Sequence, residues 1–169
     1  MARGVSPTVR RRELGTLLRE LRHGAGLTVE DVAGQLLCSP AKISRLETGQ
    51  RGAALRDVRD LCGIYGVKDQ SQVDRLMNLA RESKQQTWWQ EYDLTGATST
   101  LIGLEAAASS ISDYQSSRLP GLLQTADYAR AVLRGINPTW GAEIVEQRAE
   151  ARLERQRILT RPDAPRFWA

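Results

Sequence analysis

This 169-residue chain is poor in the residues from which enzymes build their sites. His23 is its only histidine and falls at the end of a helical stretch, where a solvated or capping role outweighs catalysis. No paired carboxylates, metal-ligand cluster or GxxxxGK phosphate loop appears, so neither a catalytic residue nor a metal or other cofactor is expected. The two cysteines, Cys38 and Cys62, match no CxxC or metal spacing and sit in apolar contexts, which predicts buried, reduced thiols. No apolar run approaches the roughly 18 residues that span a bilayer. The opening "MARGVSPTVRRREL" also lacks the apolar stretch of a secretory leader, so the expected place is the cytoplasm, with no membrane partner. Residues 1–60 contain none of the aromatics that proteins use to stack unpaired bases, which argues against single-stranded RNA as a partner.

What the chain does have is a balance of 41% hydrophobic and 26% charged residues, suited to a globular protein of one or two domains. Its formal charge of +4 is unevenly placed. Residues 1–66 hold 11 Lys and Arg against 7 Asp and Glu, whereas residues 67–169 hold 13 of each, so the whole excess lies in the first part. That is the balance of a polyanion-binding module, although "RRREL" at Arg10–Leu14 also suits an ordinary solvated helix start.

Leu14, Leu17, Leu18 and Leu21 follow the i, i+3, i+4, i+7 spacing of an amphipathic helix that stops in the Gly24–Gly26 region. Thr28 can cap a second helix, with Asp31 as its capping-box partner and Val29, Val32, Ala33 and Leu36 on the apolar side, ending near Leu37. In "LCSPAKISRLETG", Ser39 can cap a third helix that begins at Pro40 and stops at Glu47 or Thr48, before Gly49. Ile43 and Leu46 define its inward face; Ala41 and Arg45 lie almost opposite, with Lys42 and Ser44 on the flanks. About two residues separate these helices, a tight helix-turn-helix. A fourth helix is expected over Ala54–Tyr65, and "GVKDQSQVDRLMNLARESK" reads as a fifth.

The stretch "LGTLLRELRHGAGLTVEDVAGQLLCSPAKISRLETGQRG", continuing to Val67, resembles the Xre-type, phage-repressor-like helix-turn-helix domain, through LR…AGLT, the start at Thr28 and the Ser-capped I-S-x-L-E-x-G helix. The resemblance implies a structural ion pair between Arg22 and Glu47, and a third helix aimed at base edges in the major groove of double-stranded DNA. Arg45 can then pair with guanine O6 and N7, the Ala41 methyl can pack on a thymine methyl, and Lys42 and Ser44 can reach bases or backbone. Ser39 begins this reading helix. Thr28 and Val29 at the start of the second helix, with Gln50 and Arg51 after the third, are expected to hold phosphates and set the register. Pro40 stands where relatives often carry a hydrogen-bonding side chain, so one readout position is expected to be lost.

Beyond Lys84 the pattern changes. Trp88, Trp89 and Tyr92 read as a packing anchor between domains rather than a ligand cage, and Leu104–Tyr114 is ambiguous between strand and short helix. Pro120-Gly121 marks a turn, and Thr125 caps a helix with Tyr128, Ala129, Val132 and Leu133 on its apolar side, before Gly135 ends it. A charged helix is expected over Thr139–Thr160, with Ile144, Val145, Ala149, Leu153 and Ile158 near one side and the charges forming a solvated face. "PGLLQTADYARAVL", "RLERQRIL" and "PRFW" together resemble the C-terminal domain of Scr1-type, antitoxin-like regulators of actinobacteria, commonly encoded beside a small acidic partner protein. That domain usually continues past "PRFW". The sequence therefore predicts that "PRFWA" starts a strand lacking its pairing partners, a tail either disordered or paired with another chain.

The expected architecture is mainly α, a five-helix repressor-like domain over 1–84 followed by an incomplete α+β, regulatory or partner-binding domain over 85–169. The expected function is sequence-specific DNA binding as a transcriptional regulator, with a homodimer on a pseudo-palindromic site. The alternative is an antitoxin-like protein whose second half neutralises a small partner, DNA binding being autoregulatory.

Overall fold

Pro7 gives up a backbone N–H that a first helical turn leaves unpaired, and the chain enters its first helix there. The computed structural model describes residues 6–169, so the first five residues, part of the stretch read for a leader, lie outside it. The described chain is mainly helical and forms two compact units, residues 6–86 and 87–169.

Five helices make the first unit: α1 (Pro7–Gly24), α2 (Val29–Gln35), α3 (Pro40–Glu47), α4 (Leu55–Ile64) and α5 (Gln70–Glu82). Their apolar stripes converge on one core in which Leu14, Leu18, Val32, Ile43, Val58, Leu61 and Leu76 are almost fully buried. Each such side chain contributes about 1.5–3 kcal/mol relative to leaving it in water. Cys62 belongs to this core, whereas Cys38, expected to be buried, is only half-buried because it lies in the turn before α3; both thiols are free.

The helix ends share one chemistry. At α1, Gly26 takes φ +70° while its N–H and that of Leu27 donate to the carbonyls of His23 and Arg22, which closes the last turn. At α4 the same closure uses Gly66. At α2 the two bonds are again present, Leu37 N–H to the Gly34 carbonyl and Cys38 N–H to the Ala33 carbonyl, yet the residue at φ +52° is Leu37. A leucine in the left-handed region carries a penalty of roughly 1–2 kcal/mol. Leu37 is also 92% exposed, so no buried contact offsets it.

The second unit comprises a single 3₁₀ turn at Trp88–Glu91, α6 (Gly96–Ala107), β1 (Ser110–Ser112), a 3₁₀ turn at Gly121–Leu123, α7 (Ala126–Ile136), α8 (Ala142–Gln156), a last 3₁₀ turn and β2 (Arg166–Trp168). The stretch left open between strand and helix resolves into both: Thr95 caps α6 by accepting from Thr98 N–H, and β1 follows its end at Ala107. Helix α7 runs through Gly135 to Ile136, one residue beyond the expected stop. Helix α8 begins at Ala142 rather than Thr139. Trp88 meets Trp89 and Tyr92 edge-on, with ring centroids 5.7 and 5.8 Å apart, and Trp89 is buried.

Two expectations for this unit are corrected. The "PRFWA" strand does find a partner: β2 pairs in parallel with β1, Ser110 opposite Arg166 and Ser112 opposite Trp168, because the chain between them returns it to the end of α6. The charges of α8 are not simply a solvated face. Val145 and Ala149 are buried against Ala129 and Leu133 of α7, but Ile144 is 44% exposed, while Arg155 turns inward onto the buried Glu105 of α6 through two bonds of 2.5 and 2.6 Å. A second fork, Arg130 to Glu146 at 2.6 and 2.7 Å, ties α7 to α8.

Candidate nucleic-acid interface

The stretch Ser39–Glu47 folds as a helix for local reasons. The Ser39 hydroxyl accepts from Lys42 N–H at 3.3 Å, Pro40 occupies the first helical position, and Gly49 at φ +68° ends the element. Ile43 and Leu46 are buried in the core, which fixes the rotation of α3 about its own axis. Pro40, Ala41, Ser44 and Arg45 are consequently exposed, along with Gln50 and Arg51 just beyond. Among the described residues, the Arg45 and Arg51 guanidiniums make no ion pair, so both cations are available to an anionic partner.

The C-terminal end of α3 is clamped from beneath. Arg22 Nε and Nη2 donate to the two carboxylate oxygens of Glu47 at 2.7 and 2.9 Å, and Nη1 donates to the Leu27 carbonyl at 2.9 Å. Both side chains are more than nine-tenths buried. A forked pair of this kind holds angle as well as distance, so the end of α1, the start of the α2 approach and the end of α3 move together.

Backbone proximity completes the clamp. A Cβ on Gly15 would sit 2.5 Å from the Glu47 carbonyl oxygen and 2.6 Å from that of Leu46, and one on Gly49 would meet the Arg12 backbone at 3.0 Å. Two glycines thus let α1 pass directly against the last turn of α3. Sequence reasoning missed Gly15, although a glycine inside the stripe "ELGTLLREL" is a signal for close backbone approach.

Two of the residues expected to contact DNA already have partners within the domain. Lys42 turns back onto α4, where its Nζ lies 2.9 and 3.0 Å from the Asp57 carboxylate, because its flank position faces that helix. Asp57 carried no sequence signal for this role, since the pairing spans 15 residues and depends on how α3 and α4 cross. Thr28 is consumed by its own capping box: its N–H and hydroxyl both donate to the Asp31 carboxylate, at 2.9 and 2.6 Å, and the hydroxyl accepts from Asp31 N–H at 3.1 Å. These bonds from the Thr28 hydroxyl and N–H hold the Asp31 pKa below its ordinary value. The resulting carboxylate competes with any phosphate at the start of α2, leaving only the N–H groups of Val29 and its neighbour free of intrahelical partners there. The Val29 side chain itself packs half-buried against the core.

A short, two-sided helix presented by a preceding helix and a tight turn is the decisive geometry. Residues 13–76 match the helix-turn-helix domain family. Residues 98–169 match a second family, described as a domain of unknown function (DUF5753). No curated protein and no solved structure gives a significant match to the chain. In the helix-turn-helix domain so defined, α2 and α3 are the paired helices, and both Arg22 and Glu47 fall within the matched residues. No helix of the described residues is long and apolar enough to cross a membrane. A helix-turn-helix domain of this kind is a DNA-binding module.

Proposed function

We propose that this protein is a sequence-specific transcriptional regulator of Xre type, which places α3 in the major groove of double-stranded DNA. The observation that carries this reading is the division of α3: Ile43 and Leu46 are buried while Ala41, Ser44 and Arg45 face outward. Arg45 pairs with guanine, Ala41 packs on thymine, and Ser44 and the Ser39 hydroxyl reach the groove edge. Gln50 and Arg51 hold phosphates. Lys42 contributes through its pairing with Asp57, which fixes the flank of α3, rather than through a base contact. Because one short helix reads few base pairs, two copies acting on a pseudo-palindromic site are part of the proposal.

Selection of bound sequences from a random duplex pool at fixed, near-physiological salt tests it. Arg45→Ala should relax preference at one position, a loss of about 1–3 kcal/mol, whereas Arg51→Ala should weaken all sequences alike and lower the salt slope by about one. An unchanged sequence preference in Arg45→Ala removes Arg45 as the reading residue. Sedimentation showing one copy per selected site removes the dimer.

A second reading is favoured by exposed apolar side chains in the second unit, Tyr114 at 91% and Trp168 at 53%. In it, residues 98–169 hold a small acidic partner protein, in the manner of Scr1-type antitoxin-like regulators, and DNA binding serves autoregulation. Rescue of growth on co-expression with such a neighbour-encoded protein would favour this reading.

A further inference from the structure

The second unit carries four arginines along α8 and just past its end, and they are not alike. Arg155 is neutralised by the buried Glu105, Arg157 pairs with Glu154 at 2.7 Å, and Arg148 lies over the Trp140 ring with Asp93 at 3.9 Å. Arg152 has no carboxylate within ion-pairing distance among the described residues. Its one side-chain bond goes to a neutral acceptor, the Gln124 carbonyl oxygen, at 2.9 Å. Gln124 is itself fixed, since its amide donates to the Leu119 carbonyl at 2.7 Å, so it cannot swing away to expose a different group. That leaves most of the five guanidinium donors of Arg152 without a protein acceptor.

An unpaired, half-buried guanidinium is costly unless something compensates it. It lines a cleft of about 430 Å³ built between α6, β1, the 3₁₀ turn and α8, a volume in the range of small-molecule sites. The charged residues facing this cleft are Arg118, Arg152 and Arg155 against Glu105 and Asp113. Glu105 is spent on Arg155, and Asp113 accepts from the Gln115 amide and pairs with no guanidinium. One positive charge is left over. The opposite walls are apolar, with Leu101, Ile111, Leu119 and Val132.

We propose that this cleft is a binding site for a small organic monoanion, a carboxylate carrying an apolar body, whose oxygens are received by the Arg152 fork while the body lies on Leu101, Ile111 and Val132. The single excess charge matches a carboxylate better than a phosphate monoester, which carries about −1.5 to −2 at neutral pH. The planar fork suits two parallel N–H···O bonds to a carboxylate. The pKa of Arg152 is lowered from its ordinary value by burial, then by the neighbouring Arg155 and Arg118, which is the electrostatic signature of a cation lacking its counter-charge.

The test uses the full chain and resolves the arginine Nε–H resonances by NMR while sodium benzoate is added at constant ionic strength. A saturable shift of the Arg152 resonance is expected, with little response to neutral benzamide and a weaker one to inorganic phosphate. Arg152→Gln, which preserves a hydrogen-bonding partner for Gln124, should abolish the response of the neighbouring Arg118 and Arg155 signals. Should that variant lose its helical circular dichroism, Arg152→Lys decides instead, keeping the charge without the fork and weakening binding about ten-fold. The proposal fails if benzoate gives no saturable shift, if benzamide or phosphate does as well, if the response survives in Arg152→Gln, or if Arg152→Lys binds benzoate as tightly as the unaltered chain. Since the site lies within the second unit, these outcomes are independent of DNA binding.

Discussion

Gly15→Ala and Gly63→Ala are the same chemical change in two helices of one domain, and the structure assigns them opposite signs. Both remove a residue that disfavours helix by about 1 kcal/mol relative to alanine. At Gly63 in α4 the new methyl meets nothing within 4 Å, so the propensity gain should appear nearly whole, as a stabilisation of about 0.5–1 kcal/mol. At Gly15 it would lie 2.5 and 2.6 Å from two carbonyl oxygens at the end of α3, where an ordinary contact needs 3.4 Å or more. Because the obstruction is backbone, no rotamer change relieves it, and α1 and α3 must separate by roughly 1 Å, with strain on the order of 1–3 kcal/mol or above that exceeds the propensity gain. Amide exchange of core residues such as Leu18 and Val58 measures the local stability directly. All four tryptophans lie in residues 87–169, so tryptophan fluorescence should report an unchanged transition for the second unit. Gly15→Ala with wild-type or greater protection at Leu18 would refute the close approach of α1 to α3. DNA binding should fall as well, since that contact sets the tilt of α3.

Other outcomes follow from single observations. Leu37→Gly should stabilise the first unit by about 0.5 kcal/mol, because relief of the left-handed penalty outweighs the added unfolded-state entropy; equilibrium urea unfolding followed by circular dichroism checks it. Glu47→Gln leaves the buried Arg22 charge uncompensated and should lower stability by about 3 kcal/mol, with a loss of DNA affinity that no added salt restores. The depressed pKa values of Asp31, from its Thr28 bonds, and of Glu146, from its Arg130 fork, mean that each folded carboxyl ionises at lower pH than the unfolded one. Their stabilisation is therefore present above the ordinary carboxylate range and is lost as pH falls through the depressed values. Asp31→Asn should reduce that acid dependence in the first unit, where Glu13 and Asp69 also ionise below their ordinary values, and an unchanged pH profile of amide exchange at Val32 would count against the capping box.

Local chemistry was legible residue by residue. Thr28 with Asp31, Ser39 with Pro40, Thr125, and the leucines of α1 specify helix starts and buried faces through bonds and repeats whose steps are four residues or fewer, so they can be read without knowing where anything else lies. The division of α3 into an inward Ile43 and Leu46 and an outward Ala41 and Arg45 belongs to the same class. Only the crossing of helices decided the rest. It turned Lys42 onto Asp57, and it brought the Gly15 backbone against Leu46 and Glu47. It also sent Arg155 inward to Glu105, left Arg152 without a carboxylate, and returned "PRFWA" to Ser110–Ser112. Each of these depends on distances between segments 15 to 60 residues apart, which periodicity does not encode. Charge makes the difference sharpest: the pattern of arginines and carboxylates is written in the chain, but which of them neutralise each other is settled only when the helices pack.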